Sequence, residues 1–115
     1  MLAAALQIPV PGGAIEVEVV GRHSTLSEEA LVSWAGKAGR AVAAYYGTFP
    51  LPSVQLTIRA GGPGGISGGR TGTSGGKAAI RIFVGDEATP EDLASNWVLV
   101  HEMVHLAFPS MTGHE

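Results

Sequence analysis

The sequence predicts an α+β fold in which helices back a mixed, mostly antiparallel β-sheet. Two strand-like segments near the N-terminus flank a Pro-Gly-Gly turn, which is typical of a β-hairpin. Apolar residues recur at helical spacing over 26–46 and again over about 90–108, and two more strand-like segments lie between these helices. The predicted element order is therefore β-β-α-β-β-α, in a single domain over residues 1–115.

The composition narrows the class of protein. Hydrophobic residues make up 45% of the chain, which is enough apolar surface for a folded core. Charged residues are only 15% and the formal net charge is −3, so we expect no nucleic-acid partner. No apolar run is long enough to predict a membrane span. Cysteine is absent, which excludes disulfides, thiolate metal sites and cysteine nucleophiles.

The strands are predicted from short apolar and alternating segments. Residues 14–20 alternate apolar and acidic side chains, which indicates a strand with one face in water. Residues 5–10 contain a proline that suits an edge strand. The segments 54–59 and 77–84 are predicted to form the third and fourth strands.

The first helix is predicted to begin at a capping box and to end at a glycine. The segment Thr25-Leu-Ser-Glu28 has the capping-box spacing, and Gly47 is placed to terminate the helix. His23, in the preceding turn, is predicted to have a capping role or to be exposed to solvent. Gly36 and Gly39, inside the helix, indicate close packing against a sheet.

A glycine-rich segment, residues 61–76, separates the last two predicted strands. It holds nine glycines in sixteen positions, so we expect a loop with no core of its own. A P-loop needs glycine at position 71 and a hydroxyl at 78, and the segment has neither. Three interpretations stay open: a flexible rim beside a cleft, a plain surface loop, or an anion site. The cations that could serve such an anion are Arg59, Arg70, Lys77 and Arg81.

The second helix is predicted to be buried. Thr89 suits the N-cap and Pro90 the first helical position, while Pro109 ends the helix. Apolar residues cover nearly all of its circumference, as in a helix that runs through a core.

This helix carries His101-Glu102-Met103-Val104-His105, an H-E-x-x-H motif. Residues four apart lie on one face of a helix, so the imidazoles of His101 and His105 can both reach one Zn²⁺. Glu102 is then placed to act as general base toward a water molecule that the metal activates. Two ordinary core histidines that match the pattern by accident are the alternative, but they are costly to bury without partners.

At these residues the sequence resembles the zincin metallopeptidases. It is most similar to the N-terminal half of a gluzincin catalytic domain of the thermolysin-like or the glycyl or alanyl aminopeptidase-like type. The resemblance implies that His101 and His105 bind Zn²⁺, that Glu102 is the catalytic base, and that the reaction is peptide-bond hydrolysis. It also implies that the strand over 78–84 is the edge of the cleft. Ile80 and Arg81 would there bind an extended peptide or protein substrate by strand addition.

The third zinc ligand of a gluzincin is a glutamate on a later helix, so the resemblance implies a truncated catalytic domain with weak or no activity. His114, Glu115 or a partner chain could supply that ligand, or it could be absent. Homo-oligomerisation through the exposed half-cleft is a related expectation. The alternative function is a non-catalytic zincin-like module that self-associates or binds a peptide.

Overall fold

The computed structural model describes residues 5–49, 52–74, 77–95 and 98–107. Within these ranges the chain has an α+β fold, as the sequence predicts. The elements in chain order are β1 (Ala5–Val10), β2 (Gly13–Gly21), α1 (Glu28–Tyr46), β3 (Ser53–Ala60), β4 (Ile66–Ser74), β5 (Lys77–Val84), α2 (Pro90–Ser95) and α3 (Val98–Ala107). The helix predicted over 90–108 thus corresponds to α2 and α3, and positions 96, 97 and 108 lie outside the described residues.

The five strands form one mixed sheet in the order β1-β2-β3-β5-β4. The outer pairs, β1 with β2 and β4 with β5, are antiparallel, whereas β3 is parallel to both β2 and β5. The prediction of a mostly antiparallel sheet was therefore wrong. Parallel neighbours need a crossover connection, and α1 provides it by joining the end of β2 to the start of β3.

The glycine-rich segment contains a strand that the sequence did not predict. Residues Ile66–Ser74 form β4, which pairs with β5 and has an irregular register between Ser67 and Arg70. The prediction of a loop over 61–76 was wrong for this part. Sheet pairing uses backbone N–H and C=O groups, which glycine also has, so β5 can hold a strand of low intrinsic propensity.

The ends of α1 are set by local contacts. Ser27 is the N-cap, and its hydroxyl accepts a hydrogen bond of 3.0 Å from the backbone N–H of Ala30. The capping box predicted at Thr25 was therefore wrong by two residues. Gly47 ends the helix in the left-handed conformation, at φ 83°, which confirms the predicted C-terminus.

One turn of α1 lies very close to the sheet. A Cβ atom on Gly39 would lie 2.5 Å from Cδ1 of Ile15 and 3.0 Å from Cγ1 of Val10, so a larger side chain has no room there. At Gly36 a Cβ atom would lie 3.6 Å from Cγ2 of Ile8. The prediction of close helix–sheet packing is therefore confirmed at Gly39, whereas Gly36 is at an ordinary contact distance from the sheet.

The hydrophobic core lies on one face of the sheet. Alternate residues of the three central strands are buried there: Ile15, Val17, Val19, Val54, Leu56, Ile58, Ile80, Ile82 and Val84. The helices cover this face with Leu31, Trp34, Val42, Leu99 and Met103. Because side chains alternate along a strand, the intervening residues point to the opposite face. Among the described helices, none has the length and hydrophobicity needed to cross a membrane.

His23 joins the loop after β2 to the loop after β5. Its side chain is buried, with only 6% exposed. Nδ1 accepts hydrogen bonds from the backbone N–H groups of Thr25, at 3.0 Å, and Leu26, at 2.9 Å. The other ring nitrogen, Nε2, therefore carries the proton and donates it to the carbonyl of Gly85 at 2.7 Å. Neither predicted alternative for His23 holds: the side chain is buried, and it bonds to the loop residues Thr25 and Leu26 while Ser27 caps the helix.

Replacing His23 with Ala is expected to lower the free energy of unfolding by about 2–4 kcal/mol, because the N–H groups of Thr25 and Leu26 lose their acceptor and the Gly85 carbonyl keeps only its bond from Ala88. Urea denaturation measures the effect. Ser24→Ala is the matched control: the residue is exposed, and the backbone N–H that it donates to Asp86 is kept. A His23→Ala variant as stable as this control would contradict the bridging role.

Candidate metal centre

All five positions of the H-E-x-x-H motif lie within α3. This helix packs against α1, β4 and β5. Leu99 and Met103 anchor it, with 1% and 0% of their surfaces exposed. His101 lies on the other side of the helix and is exposed, while Glu102 is half-buried. The motif is therefore held at the surface by a helix with one firmly packed face.

The prediction that this helix is buried all round was wrong for the described residues. Val100 and Val104 are only half-buried, and His101 is exposed. At about 100° per residue, position 101 lies roughly 160–200° around the helix from the buried positions 99 and 103. The sheet and α1 cover only one side of α3, so the apolar residues on its flanks are left partly exposed.

The structure describes the backbone position of the second predicted ligand, His105. His105 belongs to α3, about 40° around the helix from His101, which places both residues on one helical face. Its side chain lies outside the described part of the chain, as do the candidate third ligands His114 and Glu115. Among the described side chains, no three of the His, Cys, Asp or Glu type come together. The zinc centre therefore stays a prediction.

The donor set suits zinc on chemical grounds. Zn²⁺ prefers imidazole nitrogen together with carboxylate oxygen, and two histidines one turn apart can share an ion without any change in the backbone. Because His101 is exposed, its imidazole can reach a metal ion without any change in the packing of the core. Glu102 is half-buried, which keeps a carboxylate next to the first imidazole but on a neighbouring face of the helix.

The predicted substrate-binding strand is not an edge strand. β5 is hydrogen-bonded to β3 on one side and to β4 on the other, so its backbone is not open to a peptide. Ile80 is buried against the helices, whereas Arg81 is exposed on the opposite face of the sheet. The two residues therefore cannot line one cleft. The described strand at this edge is β4, which α3 also contacts and whose glycine-rich sequence hid it from prediction.

A cavity of about 380 Å³ lies between α1 and the two C-terminal helices. Its lining is mainly apolar, with Trp34, Ala38, Leu93 and Val100 on its walls and Lys37 beside them. Neither His101 nor Glu102 contributes to it, so it is separate from the candidate metal centre.

The likeness to zincins rests on the motif in α3 and its flanking residues. The structure shows only that this segment is helical and that His101 is exposed. No protein-family model, curated protein or solved structure was found to match this chain.

Proposed function

We propose that this chain is a zinc-dependent metallopeptidase of the gluzincin type, acting on peptide or protein substrates, with activity that is weak or absent unless a third ligand completes the zinc site. The observation that carries the proposal is the H-E-x-x-H sequence on a well-anchored helix, with His101 exposed to solvent. Leu99 and Met103 hold α3 against the core. His101 and His105 would then hold Zn²⁺ at the surface, where a substrate can approach.

The residues of α3 divide the chemistry between them. When bound to the two imidazoles, Zn²⁺ supplies Lewis acidity toward the peptide carbonyl oxygen and toward water. Glu102 accepts the proton of the attacking water and returns it to the leaving amine nitrogen. Glu102 is half-buried and directly follows His101, which keeps its carboxylate close to the first zinc ligand.

The substrate is proposed to bind along β4. The outer side of this strand has no neighbouring strand within the described part of the sheet, so its N–H and C=O groups can pair with an extended peptide. α3 contacts β4, but His101 lies on the side of α3 away from its packed residues. A peptide paired with β4 must therefore continue past this helix to reach the zinc ligands. The glycines of β4 leave little side-chain bulk between a bound backbone and the strand.

Metal analysis tests the zinc centre directly. We expect about one zinc per chain after dialysis, and we expect His101→Ala and His105→Ala each to remove most of it. Glu102→Gln is the matched control on the same helix, because a general base that does not bind the metal can be neutralised without loss of zinc. Elemental analysis provides the readout. A wild-type protein without zinc, or zinc retained by His101→Ala, contradicts the proposal.

A further inference from the structure

The face of the sheet opposite the helices is uncovered in the described structure, and we refer to it as the open face. Its residues on the three central strands include Glu16, Glu18, Val20, Gln55, Thr57, Arg59, Ala79, Arg81 and Phe83. Glu18, Arg59, Arg81 and Phe83 are exposed, and the other five are half-buried. No described helix packs on this side, because α1 and α3 contact each other and share the core face.

Charges on the open face are separated by strand. The two acids lie on β2, while the cations Arg59 and Arg81 lie on β3 and β5. One register row runs from Glu18 through Thr57 to Arg81. The face therefore has an acidic side on β2 and a basic side on β3 and β5, and each side attracts groups of the opposite charge.

We propose that the open face binds a second copy of this chain in a symmetric, reversible dimer. A two-fold axis parallel to the strands and above β3 places β2 of each protomer over β5 of its partner. Since Glu18 and Arg81 occupy the same register row, each Glu18 then faces an Arg81 across the interface. Thr57, on the central strand of that row, lies next to the axis. A two-fold axis perpendicular to the strands would instead stack β2 on β2 and oppose like charges.

The charge pattern favours a second copy over a polyanion. The acids of β2 lie only about 10 Å from the arginine of β5, which is two strand spacings, so an extended anion on the basic side also meets them. The chain itself carries a net charge of −3, which further disfavours nucleic acid. Phe83, 37% exposed, and the half-buried Val20 and Ala79 supply apolar contact between the charged positions.

The interface is expected to be weak and sensitive to salt. Strands of eight residues are about 26 Å long, and five strands span about 19 Å, so the face is modest in area. Exposed ion pairs are screened by salt, so the dimer dissociates as ionic strength rises. Glu18 is the acid to test, because Glu16 already accepts a hydrogen bond from Gln55 at 3.5 Å.

Two charge reversals test the dimer by complementation. In a dimer of Glu18→Arg, two arginines face each other at each of the two symmetry-related contacts. In a dimer of Arg81→Glu, two glutamates face each other there. Each variant is expected to dimerise at least about tenfold more weakly than wild type. Mixed in equal amounts, the two variants restore an opposite-charge contact at both pairs. Sedimentation equilibrium at low salt should then show a heterodimer of near wild-type affinity.

Lys37→Glu is the control matched to Arg81→Glu, since it makes the same change in net charge at an exposed position of α1, away from the open face. It is expected to leave dimerisation within about threefold of wild type. A wild-type protein that stays monomeric at all concentrations at low salt overturns the proposal. So does a mixture of the two reversed variants that fails to associate. Binding of a labelled single-stranded oligonucleotide or an acidic peptide by monomeric protein would assign the face to an anionic ligand instead.

Discussion

Glu102→Gln is expected to lower peptide hydrolysis by about 10²- to 10⁴-fold while the zinc content stays unchanged. Glutamine keeps the size and the hydrogen-bonding shape of the side chain but cannot accept a proton at neutral pH. The carboxylate is half-buried on α3, so the substitution removes little packing. Release of peptides from casein, or cleavage of an aminoacyl substrate, measures the loss in zinc-loaded protein.

The control for this experiment is Glu91→Gln, which makes the same chemical change at an exposed position in the first turn of α2. It is expected to leave hydrolysis within about twofold of wild type, because a surface carboxylate of this kind affects only local stability. Unchanged hydrolysis in Glu102→Gln would contradict the mechanism. Zinc-loaded wild type that hydrolyses nothing but binds an extended peptide would favour the non-catalytic module.

Ile58→Ala is expected to lower the free energy of unfolding by about 2–5 kcal/mol. Ile58 is 0% exposed and lies on the central strand β3, between Val19 of β2 and Ile82 of β5 in the register. Truncation to Ala removes three carbon atoms and leaves a cavity, because the parallel strands on both sides cannot move inward without breaking their hydrogen bonds. Urea denaturation with a constant m-value measures the change.

Thr57→Ala is the matched control one residue earlier on the same strand. Its side chain lies on the open face and is half-buried, so we expect a loss below about 1 kcal/mol. The difference in the free energy of unfolding between these two variants measures how much more tightly one face of the sheet is packed than the other. Equal losses at the two positions would mean that both faces of the sheet are packed, and would contradict the open face.

Most individual elements were predictable because their signals are local. Alternation predicts β2 and β3, the apolar segment before Gly85 predicts β5, and helical spacing ending at Gly47 predicts α1. Each of these patterns arises from which side of one element is buried, and it can be read within a few consecutive residues.

The missed features depend on distant segments. β4 has the composition of a loop, and it becomes a strand only because β5 supplies a partner for its backbone. The cap of α1 was misplaced because Thr25 and Ser27 both have hydroxyls, and only the bonds of the neighbouring His23 to Thr25 and Leu26 decide between them. The exposure of His101 was missed because apolar neighbours do not show how many sides of a helix are covered.

Local order along the chain thus determined the α+β class, the first helix and two histidines spaced by one turn of a later helix. The tertiary structure decided which strand lies at the edge, which side of α3 faces solvent, and where acidic and basic side chains lie on the sheet. These features follow from hydrogen bonds and packing between residues far apart in the chain, such as the parallel pairs β2–β3 and β3–β5. Such contacts leave no periodic signal in either partner alone.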